Sequence, residues 1–349
     1  MRCYAARAGN GGGRDERLRE EPTDTDERLR EEPTCTDERL REEPTDMIVD
    51  LPDTTTNATN RKLLDLREEG GAVTLGRVLT LVIAPDTEAV LEDSIAAANY
   101  ASREHPCRVI VVSPADRLAG QPRLDAQIRV GHDAGAGEVV VLRLSGPLAN
   151  HADSVVVPFL LPDTPVVAWW PDNAPEVPAQ DPLGRLAVRR ITDITNDTDP
   201  LSRIRRRLPG YAAGDTDLCW SRITYWRALL AAAVDQPPHE PITSALVSGL
   251  ESEPALDILA GWLASRIDGP VTRAVGELRV EMTRASETIT LTRPQRGVTA
   301  TLRRTNRPDA LLALARRETR DCLAEDLRRL DADDIYHDAL RGLDRVSYQ

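Results

Sequence analysis

Three glycines, Gly131, Gly135 and Gly137 in the stretch GHDAGAG, are this sequence's nearest approach to a phosphate-cradling loop. Such a loop must leave a strand and open a helix whose first N–H groups hold the phosphate. Here EVVVLRL follows, which reads as a strand, so the glycines predict a hairpin or loop. A Walker-type lysine is excluded, because Lys62 in RKLL is the only lysine. There is no GxSxG elbow, and His105, His132, His151, His239 and His337 form no HExxH pair. The five cysteines are too far apart for a zinc knuckle or a disulfide framework. Cys107 opens an apolar run, and Cys219 and Cys322 fall in predicted helices, so all three read as inert thiols. No catalytic residue, metal-ligand set or cofactor is predicted.

What remains is tryptophan and arginine, the types that dominate interface energetics. Trp169 and Trp170 end the apolar run PVVAWW. Successive strand residues point to opposite faces, so one is expected in the core and its neighbour on the other face. The pair stands at a strand carboxyl end, where ligands gather in open α/β sheets. In LCWSRITYWRALLAAAV (218–234), read as one helix, Cys219, Ile223, Trp226, Leu230 and Ala233 form the buried stripe. Trp220, Thr224 and Arg227 fall opposite and are expected to face outward, with Arg222 and Tyr225 on a flank. Arg203, Arg205, Arg206 and Arg207 make the basic run RIRRR, which suits a phosphate, an acidic partner or a solvated helix face. Trp169, Trp170, Trp220, Arg222, Thr224, Arg227, Arg203 and Arg206 are therefore the expected partner contacts. A rival reading makes the chain an α/β enzyme or sugar-phosphate-binding protein with its site near Trp169-Trp170.

The elements that would position these residues follow from periodicity. Residues 58–69 predict a helix, 72–84 a strand, 86–104 a helix and 107–114 a strand buried on both faces. Strands are expected at 124–131, 138–144, 165–170 and 186–193, with helices at 151–161, 198–207 and 216–235. This is an α/β domain with an open, mostly parallel or mixed sheet, spanning 47–236. Pro237-Pro238 marks the expected boundary. Beyond it, a strand at 242–249, a helix at 254–267, strands near 274–282, 286–292 and 297–304, and helices at 308–330 and 332–342 predict an α+β domain with antiparallel strands over 237–349.

Residues 15–23, 26–34 and 37–45 each read DERLREEPT. One leucine per unit cannot build a core, and a proline every eleven residues interrupts a helix. Residues 1–46 are expected to be a disordered tail, with Met47 the expected start. The whole chain carries a net charge of -13, which argues against a nucleic-acid partner. Hydrophobic residues at 41% and charged residues at 29% are globular proportions. Arginine abundance is discounted as evidence of phosphate binding, because a lone lysine and a lone phenylalanine (Phe159) point to a GC-rich genome. No apolar run of about 18 residues predicts a membrane span, and no secretory signal is visible, so a cytoplasmic protein is expected.

Several of these segments together resemble the OpcA family of bacteria, in its actinobacterial form. They are Met47 to Ile83, HPCRVIVVSP (105–114), PVVAWWP (165–171), DLCWSRITYWRALLA (217–231) and CLAEDLRRLDADDIYHDAL (322–340). The resemblance implies a non-catalytic cytoplasmic protein that binds glucose-6-phosphate dehydrogenase. It would promote that enzyme's active oligomer at the entry to the oxidative pentose phosphate pathway. A phosphate-bearing metabolite is a further partner the basic residues would suit. Cysteine redox control, implicated in cyanobacterial relatives, is not carried over to Cys107, Cys219 and Cys322.

Overall fold

Runs of valine and isoleucine form the deepest strands, because branched side chains pack well on both sides of a pleated sheet. The structure, a computed structural model, describes residues 47–69, 76–131, 137–197 and 199–349. The expected tail and most of the glycine stretch lie outside the described residues. In chain order the first half is β1 (Met47–Leu51), α1 (Thr56–Glu69), β2 (Leu79–Ile83), α2 (Glu88–Ser102), β3 (Cys107–Pro114), β4 (Arg123–Val130) and β5 (Glu138–Ser145). There follow α3 (Ala152–Val156), β6 (Val166–Trp170), α4 (Pro182–Leu186), β7 (Arg189–Thr192), α5 (Pro200–Arg207) and β8 (Asp215–Asp217). Their eight strands lie in the order β1-β4-β5-β3-β2-β6-β7-β8. From β5 to β8 every neighbouring pair is parallel, and β4 and β1 add an antiparallel edge. Numbered among themselves, the parallel strands run 3-2-1-4-5-6, the order of doubly wound dinucleotide-binding sheets. The switch point falls between β2 and β6.

Each face of this sheet has its own core. On one, Leu81, Val109, Val141, Val167 and Trp169 pack under Leu91 and Ile95 of α2. On the other, Val82, Ile110, Leu142 and Trp170 pack under Leu63, Val156 and Phe159.

The second half comprises α6 (Leu218–Arg222), α7 (Thr224–Val234), β9 (Ser244–Gly249), α8 (Pro254–Arg266), β10 (Val271–Val275) and β11 (Arg279–Thr283). It continues through β12 (Thr288–Thr292), β13 (Thr299–Arg304), β14 (Ala310–Ala313), α9 (Thr319–Leu327), α10 (Asp334–Gly342) and β15 (Val346–Tyr348). Its seven strands run β14-β13-β12-β11-β9-β10-β15. The expected antiparallel strands are there, and β10 adds parallel pairings to β9 and β15. α8 and α10 touch backbone to backbone at Gly261 and Gly342. A Cβ on Gly342 would stand 1.9 Å from the Gly261 carbonyl oxygen.

Four expected elements take a different form. The helix at 216–235 is β8, α6 and α7, broken at Ile223 (φ -97°, ψ 5°). The helix at 308–330 begins as strand β14, because pairing with β13 overrides the helix propensity of ALLALA. The strand at 274–282 is two strands with Gly276 between them. The helix at 151–161 is a single α turn followed by a 3-10 turn.

The halves exchange pieces. α9 crosses back onto α2, and Cys322, Leu323 and Leu327 join the first sheet's core. Ile194 and Ile204 join the second sheet's core, beside Trp220 and Trp226. Within the second half, the segment joining α7 to β9 is clamped: Arg304 donates to the Gln236 side chain (2.7 Å) and the Pro237 carbonyl (3.0 Å), and Arg284 to the Gln236 and Pro238 carbonyls. All the described residues fall in one compact unit.

Candidate functional site

At the switch point a crevice of about 380 Å³ opens beyond the carboxyl ends of β2, β3 and β6. Asp86, Ser113, Arg117, Asn150, Trp170 and Asp181 are among its walls. Trp170 lines it, whereas Trp169 points to the opposite face, 1% exposed. In a dinucleotide-binding sheet the N-terminus of the helix after the first strand holds pyrophosphate. That helix is α2, and Asp172 bonds to the two residues just before it. Asp172 Oδ1 accepts from the Asp86 N–H at 2.8 Å, and Oδ2 from the Thr87 hydroxyl at 3.3 Å. Burial, reinforced by the nearby Asp86 charge, raises the Asp172 carboxyl above its ordinary range. Glu88 adds another carboxylate in the first turn. Arg117 pairs with Asp86 at 2.9 Å and Arg143 with Glu88 at 2.6 Å, so both of those acids have cationic partners.

A second constellation occupies the seam where α6 and α7 meet α9 and α10. Asp217 caps α6 through the Cys219 N–H (2.9 Å) and accepts from Thr192 Oγ1 at 2.6 Å and the Ile194 N–H at 3.2 Å. Arg222 reaches the Asp193 carboxylate through both terminal nitrogens, at 2.8 and 2.7 Å, and touches Thr195 and Thr319 at 3.1 Å. One guanidinium thus ties the end of β7, α6 and the start of α9. Asp193, Asp217 and Cys219 converge closely enough to suggest a metal cage. Their oxygens, however, are committed to Arg222, Thr192 and backbone N–H groups, and burial raises Cys219 well above the ordinary thiol range. Asp326 is held by Arg189 (2.8 Å) and Ser221 (2.6 Å).

The stripe expected to face outward is covered instead. Trp220 is 3% exposed, with its Nε1 donating to Asp333 at 2.8 Å and its ring 5.8 Å from that of Tyr336. Arg227 stacks on it, 3.4 Å from the ring centre. Thr224 donates to Glu325 at 2.6 Å. Periodicity had located one buried side of the helix, but α9 and α10 cover the other side too, and no local pattern announces that. Trp226 is buried as expected, and Tyr225 is the exposed aromatic, at 51%.

The basic run is also not one patch. Arg207 is buried and donates to the Pro175 carbonyl (2.7 Å); Arg203 donates to the Ala174 carbonyl (3.0 Å). Arg205 stacks on Tyr348, and Arg206 is exposed. Reading the sequence did not find Asp172, Asp326, Asp333 or Arg329, because carboxylates and arginines are too abundant here for spacing to single them out.

The topology and this seam define a two-sheet α/β protein with a nucleotide-binding strand order and a carboxylate, Asp172, hydrogen-bonded just ahead of the first crossover helix. Family models described as the glucose-6-phosphate dehydrogenase subunit N-terminal domain and C-terminal domain match residues 98–208 and 213–340. The chain belongs to this OpcA family. Two curated relatives carry the name of candidate OxPP cycle protein OpcA. The one from Synechococcus elongatus is 25% identical over 186 residues, 49% of this chain and 41% of the relative. The one from Synechocystis sp. is 26% identical over 219 residues, 57% and 44% of the two chains. The chain thus spans less than half the length of these relatives. A solved NAD-binding oxidoreductase from Klebsiella pneumoniae superposes over 77% of this chain and 96% of its own with a TM-score of 0.41 at 9% identity, too low to carry any argument. No helix among the described residues is long and apolar enough to cross a membrane.

Proposed function

We propose that this chain is a non-catalytic assembly and activation factor that binds glucose-6-phosphate dehydrogenase in the cytoplasm and favours its active oligomer. The observation that carries the reading is family membership across both halves of the chain. The mechanism is a population shift: tighter binding to the assembled enzyme than to the unassembled one moves the equilibrium. A tenfold shift needs only about 1.4 kcal/mol of differential affinity, within reach of one or two aromatic or arginine contacts. With Trp169, Trp170 and Trp220 buried, the contacts pass to exposed groups, Tyr225 and Arg206 first among them.

The test mixes the purified chain with its cognate dehydrogenase and measures oligomer mass by light scattering alongside the NADP-linked rate. A rise in both at micromolar concentration is expected. No change in either removes the assembly reading. Turnover of a sugar phosphate by the chain alone would replace it with an enzyme.

A further inference from the structure

A cavity of about 440 Å³ opens in the seam, walled by Trp220 and Arg227 on one side and Glu325, Arg328, Arg329 and Asp333 on the other. Arg227 is its most unusual member. Its stacking on Trp220 holds the planar fork flat. A guanidinium carries five N–H donors. Among the described residues Arg227 uses one, from Nη2 to Thr224 Oγ1 at 3.0 Å, and its buried Nε has no partner. Burial lowers its pKa to about 10 even though the Asp333, Glu325 and Asp326 charges nearby oppose that shift.

The carboxylates nearby are already engaged. Asp326 serves Arg189 and Ser221, Glu325 serves Thr224 and Arg317, and Asp333 serves the Trp220 indole and two backbone N–H groups of α10. At the rim Arg328 is tied to Glu104, while Arg329 is exposed and has no ion pair among the described residues. The cavity therefore holds satisfied acids and unsatisfied arginine donors. A planar guanidinium with free donors matches a carboxylate or phosphate, which accepts two parallel N–H bonds.

We propose that this cavity is an oxyanion-binding site, with Arg227 as the stacked receptor and Arg329 closing from the rim. The oxyanion is either a sugar phosphate or an acidic side chain of the docked dehydrogenase. Only the second source rests on the function proposed above; anion binding itself is a property of the isolated chain.

The isolated chain is titrated with inorganic phosphate, glucose 6-phosphate and, as control, glucose, at low ionic strength, followed by calorimetry and tryptophan fluorescence. Saturable millimolar binding of both anions and none of glucose is expected. Arg227→Gln should weaken it at least tenfold. Arg329→Ala should weaken it several-fold with no change in unfolding midpoint. Glucose 6-phosphate binding at least tenfold tighter than phosphate assigns the site to the metabolite. Equal affinities, with phosphate loosening the complex with the dehydrogenase, assign it to the partner's carboxylate. Absence of saturable anion binding overturns the proposal, as does unchanged binding in a folded Arg227→Gln chain. Should that variant fail to fold, unchanged affinity in Arg329→Ala overturns it. Anion binding without dehydrogenase association would sink only the assembly function, and the reverse result only this site.

Discussion

Arginines in this chain act mainly as struts that reach backbone carbonyls and buried acids. Glu138, 2% exposed, receives Arg67 (Nε at 2.7 Å), Arg77 (2.9 Å) and Arg108 (3.2 Å). Burial would raise its carboxyl, but the Arg67 hydrogen bond and the three positive charges more than cancel that, and its pKa is lowered. Glu138→Ala leaves three cations facing a gap and should destabilise the fold by about 3–5 kcal/mol, measured by urea unfolding. Asp217 behaves oppositely: burial, then the adjacent Asp193 charge, pushes it up to about 6 from 3.8. The folded state therefore holds an extra proton between those values. The stabilisation that proton brings is complete below about pH 4 and is lost as pH rises through about 6. Wild type should lose stability relative to Asp217→Asn across that window; a gap that stays constant with pH would contradict the assignment.

At the scale of elements, the sheets were readable because buried parallel strands are short apolar runs, and CRVIVVSP and PVVAWW could be little else. What escaped reading was contact between distant segments. ALLALA favours a helix locally and becomes a strand only because β13 offers an edge. Trp220 looked outward because nothing within 218–234 reveals that α9 and α10 will cover it. The site was legible in residue type, since Trp220 and Arg227 were singled out, and illegible in geometry. Two substitutions test the contacts that periodicity missed. Leu323→Ala, on the α9 face against α2, should cost about 2–5 kcal/mol and loosen amide protection in the first sheet. Gly261→Ala places a methyl 2.3 Å from the Ala339 carbonyl and should push α8 and α10 apart, lowering stability by about 1–3 kcal/mol in thermal unfolding.

At the scale of the whole molecule, exchanged core residues make the two halves one mechanical body. A single unfolding transition is expected by circular dichroism and by tryptophan fluorescence; two separated transitions would show the halves melting independently. The return of α9 to the first sheet also sets an order of events during synthesis. Strands β1 to β8 leave the ribosome long before residues 319–327, so the apolar groove beside α2 stays open to water while residues 218–318 are being translated. A prematurely terminated chain would carry that groove permanently uncovered, a mark by which chaperones and proteases can distinguish unfinished copies from finished ones.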